Sequence, residues 1–148
     1  MNFPIIKKRI NLQIFISYLG IFPFIMATLD YIFFNYFAEN FLIDFIIFYT
    51  LIIFSFIGAI RWSYNESPNA IYILYGFMPS LLSTILIFLN LLSFNKNLII
   101  FLIFNLILFQ LIIDYFIYKY EKKEIFFFSL RLPVTIIILL NIFYFILV

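Results

Sequence analysis

Five apolar runs, separated by short polar connectors, dominate this chain: about residues 12–34, 41–60, 71–92, 98–118 and 132–148. A helix needs roughly 20 apolar residues to cross a bilayer, and each run is long enough or nearly so. None shows the strict two-residue alternation of a membrane barrel strand. Inside lipid, a helix satisfies its own backbone groups. The expected fold is therefore all-α: an integral membrane helical bundle of five transmembrane helices in a single domain, residues 1–148.

Composition agrees with a lipid environment. The chain is 67% hydrophobic and 11% charged, whereas a soluble domain is about half apolar and a quarter charged. A net charge of +2 gives no support to nucleic-acid binding. Cysteine and histidine are both absent. That excludes disulfides, thiolate-ligated iron–sulfur clusters, the usual zinc sites and histidine-ligated haem. It also excludes Ser-His and Cys-His nucleophile pairs, and no cofactor is expected. Phe, Ile, Asn, Lys and Tyr are abundant, as AT-rich codons would make them.

The connectors "NYFAEN", "YNESPNA", "SFNKN" and "KYEKKEIFFFSLR" are too short to hold a soluble domain. Lys and Arg are retained on the cytoplasmic side of short loops. Five spans place Lys7, Lys8, Arg9, Arg61, Lys119, Lys122, Lys123 and Arg131 on one side and Lys96 alone on the other. The N-terminus is accordingly expected inside and the C-terminus outside. The start, "MNFPIIKKRI" and then an apolar run, lacks a small-x-small cleavage site and reads as a retained first helix.

Small residues mark the faces along which these helices are expected to pack, because close backbone approach drives association where lipid offers no hydrophobic gain. Ser55, Gly58, Ala59 and Trp62 share a face of the second helix. Gly76, Pro79, Ser80, Ser83 and Thr84 share one on the third, and Ser17, Gly20, Phe24, Thr28, Tyr31 and Asn35 one on the first. Pro23 and Pro79 fall within spans and are expected to kink them.

Ionisable residues inside spans are the sharper functional signal. Gln110 and Asp114, four apart, share a face of the fourth helix. Arg61 closes the second helix and Arg131 opens the fifth on the same side, so Asp114 is expected to pair with Arg61 or Arg131 near the membrane boundary. Such a cluster of Arg61, Asp114, Arg131 and Gln110 serves either as a staple between helix ends or as a site for an anionic headgroup or polar ligand. Arg61 and Trp62 also suit the headgroup layer as anchors. Asp30, Glu39 and Asp44 are expected to be solvated at the opposite side.

The stretches "FSFIGAIRWSYN", "YGFMPSLLSTILIFLN" and "LFQLIIDYF…SLRLPVTIIILLN" resemble the domain of unknown function 3429 family, the transmembrane protein 69-like proteins. On that resemblance Gly58, Arg61 and Trp62 match one motif; Pro79, Ser80 and Leu81 match the next. Gln110 and Asp114 match a third, and residues 130–133 with Thr135 the last. The likeness spans residues 18–142. Ala59 and Ser63 stand where the family pattern has glycine, which implies looser packing there. The resemblance implies a bacterial inner membrane or a mitochondrial one, and implies no activity.

Short loops, small-residue faces and the missing histidine and cysteine favour a non-catalytic assembly factor or accessory subunit of a membrane complex. Its partners would be the lipid bilayer, other membrane proteins or further copies of the chain. The kinked helices and Asp114 favour the alternative, a small transporter or channel for an ion or polar solute. An intramembrane enzyme acting on lipid would have to work with Asp, Glu, Ser, Tyr and Lys alone.

Overall fold

A computed structural model describes residues 14–59 and 70–147. Among the described residues the fold is all-α, with five helices long and apolar enough to cross a membrane. Helix α1 covers Ile14–Phe34, α2 Glu39–Ala59, α3 Ala70–Leu91 and α4 Lys96–Tyr120. Helix α5 begins with a single turn, Glu124–Phe126, passes through a π-helical turn, Phe127–Arg131, and continues as Leu132–Leu147. Large apolar side chains such as Phe33, Phe56, Phe109 and Leu140 are exposed along these helices. On a soluble protein such patches would be a liability, whereas on these spans they meet acyl chains.

The chain divides into two compact units. One comprises residues 1–37 and 104–148, the other residues 38–103, and α4 runs unbroken through the boundary.

The three described connectors turn without glycine. Asn35, Ser93 and Lys122 take the left-handed conformation at φ 50°, 58° and 56°. Behind Ser93 and Lys122, the amides of Phe94 and Lys123 reach back to the carbonyls of Leu89 and Tyr118 at 3.1 and 2.9 Å. These are six-to-one closures that satisfy the last free carbonyls of α3 and α4. Asn95 then caps α4, its Oδ1 accepting the amides of Asn97 and Leu98 at 3.0 and 3.3 Å. Behind Asn35 a buried carboxylate does the closing: Asp30 accepts the amides of Tyr36 at 3.2 Å and Phe37 at 3.1 Å. The expectation that Asp30 is solvated is thus corrected. Its two oxygens satisfy amide donors of the connector, which belong to neither helix.

Two glycines instead serve the α2–α3 contact. A Cβ built on Gly58 would lie 2.6 Å from Pro79 Cγ and 3.0 Å from the Gly76 carbonyl oxygen. Beside them the hydroxyls of Ser55 and Ser80 bond at 2.8 Å, and Ser83 Oγ donates to the Leu51 carbonyl at 3.0 Å. Ala59 and Thr84 lie outside this contact and are exposed. Thr84 directs its hydroxyl to the Ser80 carbonyl of its own helix at 2.9 Å, which corrects its assignment, and that of Ala59, to the packing faces. In the other unit, α1 packs on α5 through Thr28, whose Oγ1 meets Asn141 Oδ1, and through Tyr31, edge-on to Phe145 at 5.3 Å.

Prolines shape both helices of that pair. α1 is interrupted at Gly20 and Ile21 and resumes at Phe22, with Pro23 in the first turn of the new segment, where its missing amide is harmless. In α5 the helix starts eight residues earlier than the expected Leu132, so Pro133 lies inside it. A proline there removes the donor that an α-helix would aim at the Ser129 carbonyl. The π turn takes up the distortion, with the Leu132 amide reaching the Phe127 carbonyl. The hydroxyl of Tyr18, from α1, supplies Ser129 with its replacement donor at 3.2 Å.

Candidate functional site

Asp114 projects from the last third of α4 and is 1% exposed. Gln110, one turn before it on the same face, is buried as well. Across from them α5 delivers Arg131, whose Nη2 donates to Asp114 Oδ2. The side chains of Arg131 and Asp114 are 11% and 1% exposed, so the pair is almost fully desolvated. Thr135, one turn beyond Arg131, is buried too. Aromatic rings pack the two helices together beside the pair: Tyr115 and Phe127 meet at 5.6 Å, and Tyr118 and Phe127 at 5.9 Å.

The π turn sets Arg131 where it is. It ends at Arg131, and its five-residue closure offsets the side chains after it from ordinary helical spacing. Because α5 begins at Glu124, Arg131 lies seven residues, or about 10 Å, inside the helix. Asp114 lies six residues, or about 9 Å, inside the end of α4 at Tyr120. The expected position at the helix ends is thus corrected to one about two turns inward. From sequence the boundary falls at Arg131 because "KYEKKEIFFFSLR" reads as a connector and the apolar run begins at Leu132.

At such a position an unpaired carboxylate is expensive, and opposite charge with a direct hydrogen bond is what makes it tenable. The arrangement is a neutral, enclosed, charge-assisted contact that joins α4 to α5. Arg61 and Trp62 lie outside the described residues, as does Ser63. Arg131 is a partner of Asp114 among the described residues.

A second polar cluster, missed from sequence, lies in the other unit. Lys96 Nζ approaches Asp44 Oδ1 at 2.7 Å. Asn90 Nδ2 donates to the same oxygen at 3.1 Å, and Lys96 also reaches the Asn40 carbonyl at 3.4 Å. Asp44 is therefore paired rather than simply solvated, while Glu39 is exposed. The antiparallel order of α2 and α3 was the available signal: it brings the start of one helix beside Asn90 near the end of the other.

No protein-family model matches the chain, and neither a curated protein nor a solved structure matches it.

Proposed function

We propose that this protein is a non-catalytic accessory or assembly subunit of a membrane complex. The observation that carries this reading is how polar side chains within the helices are used. Asp114 bonds Arg131, Thr28 meets Asn141, Ser55 meets Ser80, and Ser83 binds the Leu51 carbonyl. These groups hold helix to helix, and the helices present large apolar side chains outward, where lipid or another membrane protein would cover them. The absence of histidine and cysteine, the short connectors and the small-residue faces support the same reading.

The charge distribution supports an N-terminus in the cytoplasm or matrix and a C-terminus outside, with Lys96 alone among the basic residues on the outer side. The family resemblance supports a bacterial inner membrane, with the mitochondrial inner membrane as the alternative. The π turn beside Arg131 favours a second reading, a small transporter, because such turns often accompany functional sites.

Purification of the full chain from native membranes in mild detergent separates the two. An accessory subunit is expected to co-migrate with a larger complex in fixed ratio. A solitary chain that carries solute flux in proteoliposomes, with the flux abolished by Asp114→Asn, would instead establish the transporter.

A further inference from the structure

We propose that the outer face of α2 binds one phospholipid whose zwitterionic headgroup ends in a primary amine. Phe41, Asp44, Phe45, Phe48, Tyr49 and Ile52 line a groove of about 370 Å³. Their spacing of three and four residues places all six on one side of the helix. Phe45 and Tyr49 stack nearly parallel, centroids 5.5 Å apart and planes 8° apart, and give the groove a flat aromatic wall. From Asp44 to Ile52 the groove runs about 12 Å along the axis. One leaflet of hydrocarbon is about 15 Å thick, so the groove takes most of the depth of a single acyl chain.

The polar end selects the headgroup. Lys96 is the first residue of α4 and so marks the edge of the span. Asp44, which lines the groove, accepts both Lys96 and Asn90 through Oδ1, which leaves Oδ2 available. Lys96 donates to Asp44 and to the Asn40 carbonyl, and an ammonium carries three protons, so one remains. Both side chains are about one-third exposed, at 29% and 35%. Asp44, which lines the groove, and Lys96, bonded to it, thus offer one acceptor and one cationic donor side by side. A primary ammonium fits the first and a phosphate the second. A choline headgroup has no N–H for Asp44, and a headgroup with net negative charge would meet a carboxylate.

The test is native mass spectrometry of the full chain in mild detergent with equal amounts of dioleoyl phosphatidylethanolamine, phosphatidylcholine and phosphatidylglycerol. One phosphatidylethanolamine is expected to be retained, with a preference of about tenfold over phosphatidylcholine, the scale of one charge-assisted hydrogen bond. Asp44→Asn is expected to erase that preference. Ile52→Trp fills the groove from a position 60% exposed, so the fold is kept while retention falls to the phosphatidylcholine level. Equal retention of the three lipids, which marks annular lipid only, or a preference for phosphatidylglycerol overturns the proposal. So does retention that survives Ile52→Trp, or a preference that survives Asp44→Asn.

Discussion

Replacing Arg131 with methionine keeps much of the side chain's length and apolar stem but removes the charge facing Asp114. The carboxylate left behind is 1% exposed and about 9 Å inside its helix end, too far in for a short aspartate side chain to reach water. Stranding one member of a buried ion pair costs about 3–5 kcal/mol, far more than the intact pair contributes over an apolar replacement. Asp114→Asn strands the other member less severely, because the arginine stem is long enough to lean toward the interface; about 2 kcal/mol is expected. The double variant leaves neither charge uncompensated. Its loss is expected to fall short of the sum of the two single losses by about 2 kcal/mol or more. Reversible unfolding in mixed detergent micelles, read by circular dichroism on all four proteins, measures this coupling. Losses that add to within about 0.5 kcal/mol would refute the reasoning, since independent sites behave that way.

Three further perturbations test the helix contacts. Gly58→Ala forces a methyl to within 2.6 Å of Pro79 Cγ, so a loss of about 1–3 kcal/mol in the same unfolding assay is expected. Pro79→Ala in that background is expected to recover part of it. Tyr18→Phe removes the donor to the Ser129 carbonyl and is expected to cost about 1 kcal/mol. In a Pro133→Ala background the restored amide takes its place, and the cost of Tyr18→Phe is expected to shrink toward zero. Asp30→Ala leaves the amides of Tyr36 and Phe37 without their acceptor, so limited proteolysis is expected to cut the α1–α2 connector faster while the other connectors keep their rates.

The number of spans, their helical state and their lipid surroundings were legible in the sequence because they depend on a property each residue carries alone. Apolar runs of sufficient length cannot face water and cannot leave their amides unsatisfied in lipid. The pairing of Gly58 with small residues of α3 was partly legible for the same reason, since glycine in a span has few uses beyond close approach. Partners and depths were not legible. Asp30 reads as a solvated end residue, yet it is buried because the chain turns back over it and presents two amides. Arg131 reads as the first residue of a helix, yet it lies two turns inside one. The π turn and the Tyr18 hydroxyl together allow α5 to run through Pro133, and no local rule brings a residue 111 positions away to a carbonyl that proline has freed. Hydrophobicity is additive along the chain, whereas a hydrogen bond or an ion pair depends on two positions whose meeting is fixed only when the helices have chosen their neighbours and their register.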